Sequence, residues 1–133
     1  MTGETDLAKL LSGMKPRLRE GVFAFATLPP DAELPAGIAP VMVFRERDGT
    51  TLIVEESEAE RAGLTASFRS RMITLEIHSS LEAAGVPAAI TTRLATAGMG
   101  VNPVSAFYHD HLFVPADRAE EALRLLEEIA SQR

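Results

Sequence analysis

Apolar and polar residues alternate along residues 68–78, which is the clearest pattern in the chain. One face of this segment carries the apolar side chains of Ile73, Leu75 and Ile77. The other face carries Met72, Thr74, Glu76 and His78. Because side chains alternate between the two faces of a strand, the pattern predicts a strand whose sheet is covered on one face and partly wet on the other.

Two further patterns predict strands near the start of the chain. Residues 20–28 contain the apolar run VFAFA, which is typical of a strand covered on both faces. Residues 41–47 and 50–55 flank Asp48-Gly49, a dipeptide that tolerates the positive φ values of a two-residue hairpin turn. Between these patterns, residues 28–40 hold four prolines and predict a loop, either a surface connection or a lid over a pocket.

Helical spacing of apolar residues predicts helices over residues 6–12, 57–62, 87–97 and 117–129. Ser57 and Asp117 each precede a glutamate by three residues, the spacing of a capping box, while Gly63 and Gly98 are placed to end helices. Residues 101–108 and 112–114 predict strands about a tight turn that contains Asp110. Strands with helices on a single face indicate an α+β architecture.

Composition narrows the class of protein. The chain has 133 residues, a formal net charge of −6 and no cysteine, so it has neither disulfides nor thiolate metal sites. An acidic chain repels the phosphate backbone of nucleic acids. No segment has the pattern of a membrane span or of a signal peptide. We therefore expect a cytoplasmic protein that meets small molecules or proteins, and neither nucleic acid nor membrane.

From Arg71 onward the predicted order is strand, helix, strand, strand, helix, over the sequence ITLEIHSSLEAAGVPAAITTRLATAGMGVNPVSAFYHDHLFVP. This stretch resembles short bacterial ACT-domain proteins related to the paired ACT modules of aspartate kinases, most specifically at residues 78–82 and 108–111. The resemblance spans nearly the whole chain. It implies a ferredoxin-like ACT architecture with two ACT-like halves, residues 1–66 and 67–133. Because the second half lacks a last strand, we hypothesise that residues 20–28 complete its sheet.

ACT modules bind amino acids or similar metabolites at the loop after the first strand. Carried onto this chain, the resemblance implies a ligand site at Ser79, Ser80, Leu81, Glu82, Gly85, Val86 and Asn102. Free amide groups and the dipole at the start of the next helix favour a carboxylate, while the two serines alternatively only cap a turn. The function expected is non-catalytic binding of an amino acid by a regulatory homodimer. The alternative is a ligand-free oligomerisation module.

The trio His109, Asp110 and His111 is the sharpest chemical signal in the chain. In an extended strand both histidines share a face, at a spacing that can chelate a divalent metal. A durable metal site normally needs further ligands from elsewhere, so we expect no metal and no cofactor. The trio is interpreted as a ligand contact, as part of a module interface or as a structural hairpin. After amino-acid binding and the oligomerisation module, the third function considered is a metal-dependent hydrolase that uses His109 and His111.

Overall fold

A computed structural model describes residues 11–76 and 86–131 of the chain. The chain divides into two units. The central unit comprises Gly21–Ser70, and the discontinuous unit comprises Met1–Glu20 with Arg71–Arg133. The strands are β1 (Lys15–Leu18), β2 (Phe23–Leu28), β3 (Met42–Arg45), β4 (Thr50–Glu55), β5 (Ala66–Glu76), β6 (Asn102–Ser105) and β7 (Asp110–Pro115). The helices of the described residues are α1 (Glu56–Arg61), α2 (Val86–Thr96) and α3 (Ala119–Ser131), the last preceded by a 3-10 turn over Ala116–Arg118.

The sheet of the central unit has the order β3-β4-β2-β5, in which β5 contributes its first residues. Antiparallel pairing joins β2 to β4 and β3 to β4, so the predicted hairpin is confirmed. Adjacent residues Phe23 and Ala24 of β2 are both buried, which confirms a strand covered on both faces. Residues 29–41 form no helix or strand, as their prolines predicted.

The turn of that hairpin differs from the prediction by one residue. Glu46 and Gly49 bond to each other in both directions through their backbones, at 2.9 and 3.3 Å, so the central residues are Arg47 and Asp48. Gly49 instead lies beside β2, where a Cβ atom would come 2.7 Å from the carbonyl oxygen of Leu28. Glycine is therefore required here for close approach of two backbones.

The discontinuous unit has the sheet order β1-β5-β7-β6, in which β5 contributes residues 71–76. Its core joins one face of the sheet to α2 and α3. The buried residues include Ile73 and Leu75 of β5, Leu112 and Val114 of β7, Ile90 and Leu94 of α2, and Ala122 and Leu126 of α3. Helices on one face of an antiparallel sheet confirm the α+β fold, and both units share the strand order of a ferredoxin-like module.

The last strand of the discontinuous unit is β1, which comes from the start of the chain. It pairs with β5 from Leu18 opposite Ile73 to Lys15 opposite Glu76. Residues 23–28, within the segment hypothesised to complete this sheet, form β2 and pair with β5 at Ala66, Ser67 and Ser70. The halves 1–66 and 67–133, and completion by residues 20–28, stay predictions.

Helix starts were predicted less well than helix ends. Ser57 lies inside α1, whose N-cap is Glu55, and Asp117 lies in the 3-10 turn before α3, so neither predicted capping box starts a helix. Gly63 and Gly98 follow α1 and α2 with φ of 67° and 81°, as predicted. The predicted helix 6–12 lies outside the described residues except for Leu11 and Ser12, which are helical.

Candidate functional site

The loop predicted to bind a ligand connects β5 to α2. Strand β5 ends at Glu76 and α2 begins at Val86, so the order strand, connection, helix is as predicted. The site residues Ser79, Ser80, Leu81, Glu82 and Gly85 lie outside the described residues, as do Ile77 and His78. Their role stays a prediction.

The helix that follows this loop, α2, packs into the core of the discontinuous unit. Ile90 and Leu94 are fully buried in the core, and the amide of Met99 donates to the carbonyl oxygen of Leu94 at 3.1 Å, closing the helix after Gly98. At its other end, the first-turn amide groups of an α-helix have no partner within the helix. The first turn of α2 carries no acidic side chain, so nothing in it repels an anion.

Asn102 lies apart from the tip of the β6–β7 hairpin. It is the first residue of β6 and pairs with Phe113, whereas Ser105 at the other end of β6 pairs with Asp110. Near the tip, His111 of β7 forms a hydrogen bond with Thr74 of β5. Among the predicted site residues, the structure therefore brings His111, rather than Asn102, beside β5. A ligand contact by Asn102 stays a prediction.

The predicted turn around Asp110 is wrong. Asp110 begins β7, and a backbone hydrogen bond of 3.0 Å from Ala106 to His109 puts Phe107 and Tyr108 at the tip. These two aromatic rings are 78% and 80% exposed and meet edge to face at 4.9 Å. His109 thus precedes the strand and His111 is its second residue.

The two histidines form a polar cluster with residues of β5 and of the segment after β1. Their ring centroids lie 6.5 Å apart, and Nδ1 of His111 lies 3.0 Å from Oγ1 of Thr74, a side chain only 3% exposed. Nδ1 of His109 is buried and has no hydrogen-bond partner among the described residues. Arg71 donates from Nη2 to the carbonyl oxygen of Arg19 at 2.9 Å.

This environment disfavours protonation of His111. Burial lowers the pKa of His111 below its ordinary value of 6.5, and the positive charges of His109 and Arg19 lower it further. The carboxylate of Asp110 acts in the opposite direction but does not reverse the shift. His111 is therefore biased toward the neutral form, which can accept or donate one hydrogen bond.

A metal centre finds little support at this cluster. Within residues 11–76 and 86–131, no group of three or more His, Asp or Glu side chains is arranged to hold a metal ion. The Nδ1 atom of His111 is also engaged by Thr74. Sequence reasoning identified both histidines but missed Thr74 and Arg19. The signal for Thr74 was its place on the polar face of β5, two residues before Glu76.

Two ACT-domain family models match the chain, one over residues 2–71 and the other over residues 67–128. The chain belongs to the ACT-domain family. A solved structure from Vibrio cholerae, of unknown function and described as a possible transport protein, is 39% identical with a TM-score of 0.87. The match covers 98% of the ACT-domain protein and 100% of that chain. A search of curated proteins finds no match.

More distant structures share the fold. A protein from Agrobacterium tumefaciens is 20% identical with a TM-score of 0.71, over 88% of this chain and 89% of its own. The ligand-free regulatory subunit of aspartate kinase from Thermus thermophilus is 18% identical with a TM-score of 0.65, over 86% and 97%. The resemblance to the paired modules of aspartate kinases is confirmed, as is the ferredoxin-like fold. Of the helices described, none is long and apolar enough to cross a membrane.

Proposed function

We propose that this ACT-domain protein is a non-catalytic regulatory protein that binds an amino acid through the loop between β5 and α2. The observation that supports this most directly is the position of α2, an 11-residue helix that begins directly after that loop and buries Ile90 and Leu94. Its first-turn amides and dipole favour a carboxylate, although Pro87 contributes no donor. Ser79, Ser80, Leu81, Glu82, Gly85 and Val86 are the proposed contacts.

The hairpin tip extends this proposed site. His111 is held by Thr74 and biased toward its neutral form, so it would offer a hydrogen bond rather than a second positive charge. Glu82 is the proposed partner for the ligand's ammonium group. The known regulatory subunits of aspartate kinase with the same fold support a regulatory role. Any effect on partners requires that the ligand bind two arrangements of the protein with different affinity.

The proposal includes a homodimer in the cytoplasm. Strand β3 is an edge strand of the central unit, and Phe44 on it is 61% exposed, which favours pairing with a second copy. A chain without cysteine also suits a reducing compartment. The exposed rings of Phe107 and Tyr108 equally support the alternative, a ligand-free interaction module.

The test is thermal unfolding of the full chain with each natural amino acid. A ligand at 100 times its Kd should stabilise the protein by about 2.7 kcal/mol. Ser79→Ala should abolish this stabilisation, whereas Ser105→Ala, an exposed serine on β6, should preserve it. Asn102→Ala decides separately whether Asn102 contacts the ligand.

Three outcomes contradict the proposal. A shift that survives Ser79→Ala would move the ligand to another pocket. An amino-acid panel without any shift, together with a stable dimer, would favour the interaction module. Stoichiometric metal in the purified protein that disappears in a His109→Ala/His111→Ala variant would favour the metal-dependent hydrolase.

A further inference from the structure

A cavity lies between α1 and the start of β5 in the central unit. It has a volume of about 350 Å³, and all the residues that line it belong to Gly21–Ser70. It shares no lining residue with the loop 29–41 or with the β3–β4 hairpin. Part of the lining is Ala24, Ala59 and Ala66, and Leu64 adds a longer aliphatic side chain. Because the alanine side chains end at Cβ, they leave space that larger side chains would otherwise fill.

A β-bulge shapes the β5 side of this cavity. The pairing register between β2 and β5 shifts there, so that Ala24 of β2 lies opposite two residues of β5, Phe68 and Arg69. Phe68 has φ of 58°, a left-handed conformation that is unusual for a bulky side chain. Beside it, Nε of Arg69 donates to both carboxylate oxygens of Glu56 on α1, at 3.2 and 3.0 Å. The bulge and this ion pair therefore join β5 to α1 at the wall of the cavity.

The side chain of Glu60 on α1 is available to a ligand. Its neighbours on the helix are engaged, because Glu56 pairs with Arg69 and Glu58 lies 3.9 Å from Arg61. Among the described residues, Glu60 forms no ion pair and no side-chain hydrogen bond. Residues four positions apart lie on the same side of a helix, so Glu60 lines the cavity together with Glu56.

The lining of the cavity carries a net negative charge. Two glutamates and one arginine line it, which leaves one negative charge, and Arg69 is already paired with Glu56. Ser67 adds a hydroxyl group that has no hydrogen-bond partner in the part of the chain that the structure describes. The groups open to a ligand are therefore a carboxylate, a hydroxyl and an aliphatic surface. Carboxylate and hydroxyl oxygens both accept hydrogen bonds from an ammonium group.

We propose that this cavity binds a primary aliphatic amine in its ammonium form. Glu60 and Ser67 would accept hydrogen bonds from the ammonium group, while Leu64 and Ala59 would contact the hydrocarbon chain. A metal ion is disfavoured because, within residues 11–76 and 86–131, no group of three His, Asp or Glu side chains is arranged to hold one. An amino acid is disfavoured because its carboxylate would meet two glutamates while the arginine of the cavity is already paired. The site thus differs in place and in ligand chemistry from the loop between β5 and α2 and does not depend on it.

The experiment is a titration of the 15N-labelled full chain at neutral pH, followed through the amide resonances of residues 56–69. The probes are butylamine, ethylamine, the uncharged 1-butanol and the zwitterion norleucine. Butylamine should shift these resonances, and 1-butanol and norleucine should each bind at least about tenfold more weakly. Ethylamine should bind at least about fivefold more weakly than butylamine, because it buries two methylene groups fewer.

Two variants and a control locate the ammonium group. Glu60→Gln should weaken the binding of butylamine at least about tenfold and leave the melting temperature unchanged, because Glu60 is exposed. Ser67→Ala should weaken binding about threefold, since one neutral hydrogen bond is lost. Glu55→Gln is the matched control: it removes the same charge directly before α1, outside the cavity, from a side chain that does not cap the helix.

Resonances of residues 56–69 that do not move with butylamine would overturn the proposal. So would equal affinity for 1-butanol or for ethylamine, or unchanged affinity in Glu60→Gln. Shifts of equal size in the acidic helix α3 would show general attraction of a cation to an acidic surface, and would overturn it as well. The loop between β5 and α2 is tested by amino acids and by Ser79→Ala, so either site can fail while the other is observed.

Discussion

At the scale of single residues, Gly49 shows how a backbone contact fixes a residue type. A Cβ atom there would meet the carbonyl oxygen of Leu28 at 2.7 Å and Oγ1 of Thr27 at 3.3 Å. The carbonyl belongs to a strand that pairs along its whole length, so it cannot move aside easily. We expect Gly49→Ala to lower the free energy of unfolding by about 1–3 kcal/mol, as overpacking usually does.

Urea denaturation of Gly49→Ala and Gly100→Ala measures this effect. Gly100 is the control because a Cβ atom there meets nothing within 4 Å. Equal stability of the two variants would show that the hairpin can shift away from β2.

The half-buried side chain of His111 should make the free energy of unfolding depend on pH. Its pKa is lowered in the folded protein by burial, then by His109 and Arg19, so the unfolded chain binds the proton more readily. The stability that neutral His111 contributes is therefore complete above its ordinary pKa of 6.5 and is lost as the pH falls toward the folded pKa. His111→Gln should unfold with a weaker dependence on pH in this window.

An NMR titration of the imidazole resonances checks the cause. His111 should titrate below 6.5 in the wild-type chain, and His109→Gln should raise its pKa because one positive neighbour is removed. A value at or above 6.5 in the wild type would contradict the assignment.

At the scale of elements, the sequence predicted helix ends and strands better than helix starts and turns. Gly63 and Gly98 were identifiable because few other residues adopt positive φ at low cost. The capping-box spacing is less specific, since glutamates are frequent in this chain and Ser57 and Asp117 precede one without capping a helix. The core positions Ile73, Leu75 and Leu126 followed directly from periodicity. The contact between His111 and Thr74 could not be predicted, because the sequence of a strand does not show which strand lies beside it.

Arg118 joins two helices of the discontinuous unit. Its guanidinium donates to the carbonyl oxygens of Ala97 at 2.9 Å and Gly98 at 3.1 Å, beyond the end of α2. It also pairs with Glu121 on α3 at 2.9 Å, and the hydrogen bond from Arg118 is the main cause that lowers the pKa of Glu121. We expect both Arg118→Ala and Arg118→Lys to lower the melting temperature, since lysine cannot reproduce the planar fork.

The control for this prediction is Arg124→Ala, an exposed position on α3. Differential scanning calorimetry measures the melting temperatures of the three variants. If Arg118→Lys has the melting temperature of the wild type, the positive charge rather than the planar geometry of the guanidinium accounts for the stabilising contact.

At the scale of the whole molecule, sequence order and structural unit do not coincide. Residues 15–18 complete a sheet whose other strands begin more than fifty positions later, at Arg71 in β5. Alternation along β5 predicted the strand but not its neighbour, because pairing partners leave no local pattern. The structure places Lys15–Leu18 beside Ile73–Glu76. The hypothesis of a completing strand named residues 20–28 instead, and it stays a prediction.

This topology makes the start of the chain necessary for the stability of the discontinuous unit. The amide of Arg19 donates to the carbonyl oxygen of Met72 at 2.9 Å, which extends the β1–β5 ladder by one pair. Arg19→Pro removes that donor and should cost about 1–3 kcal/mol, whereas Arg19→Ala keeps the donor and loses only the side chain. Hydrogen exchange should therefore quicken in β5 and α3 with proline but not with alanine. Equal protection in both variants would mean that β1 contributes packing alone, so that the strand exchange is not what holds this unit together.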